Sequence, residues 1–201
     1  MKIELSRDWT EFLSALIYRR VRFVLVGGHA VSGHAEPRLT EDLDVFVERT
    51  PANARRLRQA LVDFGFGNVA PAATDLARPH KVFMLGHKPW RIDILTSIDG
   101  VSFAQAWKSR VEADFVTHPL YVIGRDMLIK NKRAAGRDKD IADVALLELH
   151  ESPRRRRSRK LPRPRSDAES VSRNPRRKGR GRGTKRGTKH ARSLVRSKIA
   201  L

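Results

Sequence analysis

Asp42 and Asp44 lie one residue apart in the run DLDVFV, and this pair constrains the fold more than any other feature of the chain. Along a strand, residues i and i+2 face the same side. Both carboxylates then project together, while Leu43, Val45 and Val47 turn the other way, towards a core. Adjacent carboxylates repel, and a divalent cation is their usual partner. Mg²⁺ takes oxygen ligands and the phosphates of a substrate. Upstream, VLVGGHAVSGHAEPRLTE reads as a strand over residues 22–26, a turn at Gly27-Gly28 and a small helix. The glycine pair lets backbone come close to a ligand.

Two further strands are expected over residues 80–85 and 90–95, joined by Gly86-His87-Lys88-Pro89 in the manner of a hairpin. Arg91, Asp93 and Leu95 share one face of the second. Asp93 sits between Ile92 and Ile94, and a carboxylate in an apolar strand is costly unless it is paired or bound to metal. It is either a third ligand beside the dyad or the partner of Arg91.

Trp9, Phe12, Leu13, Leu16 and Ile17 follow the spacing of one apolar helix face, with Asp8 as its expected cap. Thr50-Pro51 starts another helix that runs to about Asp63 and stops at the FGFG sequence. Its Arg55, Arg56 and Arg58 read as a solvated face. Residues 68–79 read as a loop. His29 and His34, five apart and without cysteine, read as polar residues near a site rim rather than zinc ligands. Asp99-Gly100 marks a turn, Phe103, Ala106 and Trp107 a short helix, and residues 120–123 a last short strand. Asp126 opens a helix that closes near Gly136, and a second runs from Asp138 to about His150. Ile141, Val144, Ala145 and Leu149 are its expected buried face. The sum is an α+β domain: a small mixed sheet flanked by helices, ending in a helical hairpin.

A strand, GG, a short helix and an acidic dyad in this order resemble the nucleotidyltransferase superfamily typified by DNA polymerase β. The form GGHAVSGHAEPRLTEDLD is similar to the bacterial branch that contains the AbiEii-type abortive-infection toxins. Arg38 and Thr40 match that branch's Arg and Thr before the dyad, and LIKNKRAAGRDKDIADVALL over residues 128–147 matches a second block. The resemblance spans roughly residues 20 to 150. It implies NMP transfer from an NTP to an acceptor hydroxyl with release of pyrophosphate. It implies Asp42, Asp44 and Asp93 as ligands of two Mg²⁺ ions, and Asp93 alternatively as general base. Gly27, Gly28, Arg38, Thr40, Lys132, Arg137 and Lys139 would meet the nucleotide, with Lys132 counted among the catalytic residues. Asp140 and Asp143 would support Lys132 or the acceptor. The acceptor would be tRNA or another RNA, a protein or a small molecule, and a cognate antitoxin is a further expected partner.

Charge divides the chain. Residues 151–201 hold 20 Lys and Arg against 3 acids, a surplus of 17, and residues 1–150 hold 22 against 19. So low a hydrophobicity at so high a charge predicts a disordered Arg- and Lys-rich tail behind one domain, residues 1–150. Such a tail binds nucleic acid through phosphate neutralisation and guanidinium stacking. Leu194, Val195, Ile199 and Leu201 at its end could form a marginal helix on a partner. There is no cysteine, no apolar run of signal-peptide length and no stretch fit to cross a bilayer, so a cytoplasmic setting without membrane contact is expected. Two other functions fit these residues. One is a nucleic-acid-binding protein whose core does not turn over. The other is an antibiotic-type small-molecule adenylyltransferase.

Overall fold

In the computed structural model the described residues are 1–150, without Lys2, Glu4, Thr117 and the side chain of Asn68. The expectations for the basic tail, including its terminal apolar residues, lie outside the described residues.

The sheet is built around the dyad. Six strands lie in the order β3-β4-β2-β1-β6-β5, with β1 Phe23–Leu25, β2 Asp42–Val47, β3 Val82–Leu85, β4 Arg91–Leu95, β5 Val111–Ala113 and β6 Leu120–Val122. β2 lies antiparallel to β1 and parallel to β4, and β1 is parallel to β6. The sheet is therefore mixed. The strands are short and apolar, and Leu43, Val45 and Val47 are fully buried on the face of β2 away from the dyad. β5 is an edge strand that the sequence pattern did not announce. It has three residues, two of them exposed, so it carries no alternation to read.

Seven α-helices flank the sheet among the described residues: α1 Arg7–Tyr18, α2 Gly27–His34, α3 Pro51–Leu61, α4 Ala73–Leu76, α5 Phe103–Ser109, α6 Arg125–Ala135 and α7 Asp138–Leu149. The fold is α+β, as expected. α1 buries Trp9, Phe12, Leu13 and Leu16, the predicted stripe. Its cap is Ser6 rather than Asp8; the Ser6 hydroxyl accepts from the Trp9 amide. α3 begins at Pro51 behind the Thr50 cap as expected, and passes through one wide turn, Val62–Phe66, before the chain leaves it. α4 is a single helical turn inside the stretch read as loop. α6 starts one residue before Asp126, with Gly124 at the cap position.

The largest departure is α7. Its buried residues are Asp140, Asp143 and Leu147. Of the four residues expected to be buried, Ile141 and Leu149 are 65% and 80% exposed, Ala145 is exposed and Val144 is half-buried. The helix is turned so that its acids face inward. They are tolerated there because cations from α6 and from the segment before β2 meet them, which is the condition for burying charge. No helix among the described residues is long and apolar enough to cross a membrane.

Candidate active site

The parallel pairing of β2 and β4 sets Asp42 opposite Arg91 and Asp44 opposite Asp93. Neighbouring strands lie about 4.8 Å apart. Three carboxylates and one guanidinium thus occupy one small patch of the sheet. Asp42 and Asp93 turn onto Arg91. Its Nη2 donates to Asp42 Oδ2 at 2.7 Å and to Asp93 Oδ2 at 2.9 Å, and its Nε donates to Asp93 Oδ1 at 2.8 Å. Of the two readings left open for Asp93, the pairing with Arg91 is observed, and it keeps Asp93 beside the dyad. Burial raises the Asp93 carboxyl above the ordinary range, and Arg91 offsets part of that rise.

Asp44 is different. Its carboxyl lies under the start of α2, so close that a β-carbon on Gly27 would fall 1.8 Å from Oδ2. Gly27 also has φ +65°, in the left-handed region where glycine is at ease. A β-carbon on Gly28 would lie 2.5 Å from Thr40 Oγ1 and 3.3 Å from Arg38 Nη2. The glycine pair therefore admits the protein's own Asp44, Thr40 and Arg38. Burial pushes the Asp44 carboxyl up to about 7, and the charges of Asp42 and Asp93 add to the effect. No hydrogen bond reaches this carboxyl among the described residues.

The second block does come to this patch. Lys132 and Lys139 lie close enough to Asp44 for their charges to lower its pKa, and Lys139 does the same to Asp93. Lys132 is itself 4% exposed, with Nζ 2.9 Å from Asp140 Oδ1 and 2.8 Å from Asp143 Oδ2. Arg137 donates through Nε to Asp140 Oδ2. Burial would raise the Asp140 carboxyl, but the bonds from Arg137 and Lys132 outweigh it and hold it below the ordinary range. Arg38 Nη1 sits 3.0 Å from Asp143 Oδ1 and ties the segment before β2 to α7. Thr40 Oγ1 donates to Asp42 Oδ1 at 3.2 Å. Lys139 is exposed near the acids, and so is Arg137, which also feels the charge of Asp44.

His29 and Arg91 complete this cluster: the sequence placed His29 near a site rim and offered Arg91 as a partner of Asp93, but announced neither the burial of His29 nor the bond from Arg91 to Asp42. His29 is buried beside Trp9, ring centroids 4.8 Å apart and edge-on, and its Nε2 has no partner. Burial pulls it down to about 4, against the pull of Asp42. Trp90 stacks edge-on to Trp9 at 5.9 Å and is 53% exposed at the rim. The i, i+2 spacing of Arg91 and Asp93 announced one of Arg91's bonds. The bond to Asp42, 49 residues away, follows only from strand register. His34, by contrast, leaves the patch: its Nε2 is 2.7 Å from the Ile123 carbonyl.

No three side chains of His, Cys, Asp or Glu among the described residues are arranged as a ready metal shell. The chemistry of the donor set nonetheless suits a hard cation. Asp44 is a buried carboxyl without a hydrogen bond, beside two others that share a single guanidinium, and this excess of oxygen and negative charge is what Mg²⁺ takes up.

No protein-family model matches the chain, and no curated protein matches it. Among solved structures, the chain is similar to an antigenic nucleotidyltransferase-like protein from Paracoccidioides brasiliensis, at a TM-score of 0.43 and 14% identity. The similarity covers 71% of this chain and 77% of that one. A likeness of this degree assigns no residue.

Proposed function

We propose that the chain is a divalent-cation-dependent nucleotidyltransferase, moving NMP from an NTP to an acceptor hydroxyl with release of pyrophosphate. One observation supports this most: Asp44, without a hydrogen bond and held under the first turn of α2, faces Asp93 across parallel strands with Asp42 beside it. Asp42, Asp44 and Asp93 would hold the ions, two by the chemistry of this reaction. Bound ions of this kind lower the pKa of an attacking hydroxyl and neutralise charge on a leaving pyrophosphate.

The remaining work falls to the chain. The first amides of α2, at Gly27 and Gly28, have no partner within the helix and favour anions. Thr40 steadies Asp42 through its hydroxyl. Lys139, exposed and near Asp44 and Asp93, is placed for phosphate contact. Lys132 acts through its field on Asp44, because its ammonium is hydrogen-bonded to Asp140 and ion-paired with Asp143. Arg91 holds Asp42 and Asp93 at fixed separation, and Asp42 would have to leave it to serve as an ion ligand. An RNA acceptor, and within that class tRNA as in the toxin-like branch, suits the polycationic residues 151–201. The Arg91 bridge also favours a second reading, in which the guanidinium is a permanent partner and the domain binds nucleic acid without turnover.

The test incubates the full chain with the four α-³²P NTPs, Mg²⁺ and total tRNA. Label on RNA, protein or a small molecule that disappears in Asp44→Asn supports transfer and names the acceptor class. No label with any NTP, together with no Mg²⁺-dependent NTP binding by calorimetry, would favour the second reading.

A further inference from the structure

Beyond the acid patch, the described surface carries an open groove of about 530 Å³ lined by Tyr18, Arg19, Arg20, Arg55, Arg56 and Gln59. It lies between the end of α1 and α3. Trp9, which touches the acid patch through His29 and Trp90, is nine residues from Tyr18 on the same helix, about 14 Å along its axis. The groove is thus a separate place.

Four of its six lining residues are arginines and none is an acid. Arg19 is paired with Asp63. Among the described residues no carboxylate lies within ion-pair range of Arg20, Arg55 or Arg56. Arg56 has one weak bond, from Nη2 to Asn53 Oδ1 at 3.4 Å, and its Nε is buried with no partner. Like charges gathered without counter-charge repel, and an anion relieves them. Arg20 supplies an independent sign. Its φ is +54°, just past the end of α1, where glycine is the residue without strain. Strain kept at a residue of this kind points to a role for its side chain. Tyr18 completes the groove: its ring is 80% exposed and the Arg19 guanidinium lies 5.7 Å from its centroid.

Guanidinium groups match phosphate oxygens in a planar fork, and an exposed aromatic ring accepts an unstacked base. We infer that this groove binds single-stranded nucleic acid, with Arg20, Arg55 and Arg56 on the phosphates and a base stacked on Tyr18. Such a contact adds a rigid holding point to the affinity expected of residues 151–201. It stands whether or not the acid patch turns over.

The test uses the full chain and a short mixed-sequence single-stranded RNA carrying 4-thiouridine. Photo-crosslinks mapped by mass spectrometry should include the Tyr18 peptide. The variant Arg20→Gly/Arg55→Ala/Arg56→Ala should lose that crosslink while keeping those in residues 151–201. Its plot of log affinity against log salt should flatten by about 2, since each phosphate contact to a single strand contributes about 0.7. Tyr18→Ala should lose the crosslink and Tyr18→Phe should keep it. Thermal melting of the triple variant itself checks that it is folded, and Arg20→Gly, which removes the positive-φ strain, should leave it no less stable than the parent. Crosslinks confined to residues 151–201, or an unchanged salt slope in the triple variant, would overturn the inference. So would displacement of the RNA from the groove by a mononucleotide or by phosphatidylserine vesicles at matched phosphate concentration.

Discussion

Asp44 and His29 are two titratable side chains held away from their ordinary protonation by burial, and they act in opposite senses. Asp44 is raised to about 7 and His29 lowered to about 4 from 6.5. From pH 4 to 6.5 the folded protein keeps a proton on Asp44 that the unfolded chain releases, so this contribution to stability falls as pH rises. Over the same window the unfolded chain carries a proton on His29 that the folded protein refuses, so that contribution grows as pH rises. Asp44→Asn should therefore leave stability climbing between pH 4 and 6.5, and His29→Gln should leave it falling from pH 4 to 7. Each change is on the order of 3–4 kcal/mol and is read from urea denaturation across the pH range. Asp44→Asn should also be more stable than the parent at pH 7 while losing all transfer. The acids were legible from DLD and RID alone, because alternation along a strand is geometric. The environment of His29 was not, because it depends on Trp9 from another helix.

At the level of elements, α7 teaches most. Its limits could be read from the sequence, but its orientation could not. The rule that apolar residues mark the buried face fails where a helix meets cations, and those cations are Lys132 from the neighbouring α6 and Arg38 from a segment about a hundred residues earlier in the chain. Asp143→Ala would leave both without their shared carboxylate. It should destabilise the domain by about 3–5 kcal/mol, measured as a shift in the urea midpoint, whereas Ile141→Ala on the exposed side should stay within about 0.5 kcal/mol. The N-terminal side of the site is as tightly drawn. Gly27→Ala would drive a methyl into the Asp44 carboxyl at a positive φ, and it should cost both stability and NTP affinity, seen by thermal melting and calorimetry. The Gly27-Gly28 pair reads in the sequence as a place where backbone approaches a ligand, whereas the groups that approach it in the structure are side chains of the protein itself. That the approaching group is Asp44 itself depends on β1–β2 pairing.

For the whole molecule, charge and chemistry are segregated along the chain. The balanced residues 1–150 hold the sheet and the acid patch, and the surplus of 17 positive charges falls in residues 151–201. Truncation after His150 should leave the melting temperature of the domain unchanged and reduce the salt dependence of RNA binding, without abolishing it if the groove at Tyr18 contributes. Titration of affinity against salt checks both. The strand order was not readable, since β1–β6 and β2–β4 join segments far apart in sequence. The jump in positive charge after residue 150 is a matter of composition alone.

The inverted burial of α7 bears on how the molecule comes apart. A helix leaving a core usually bares an apolar stripe, and exposed stripes seed aggregation. When α7 lifts away, the surface uncovered is Lys132, Asp140 and Asp143, groups that water takes back readily, beside a smaller apolar patch of Val144, Leu146 and Leu147. Ile141 and Leu149 already face outward and expose nothing new. α7 can thus lift from α6, whose Leu128 and Ile129 stay in the core, as a reversible local event, and its amides should exchange with solvent deuterium ahead of those in α1 and α3.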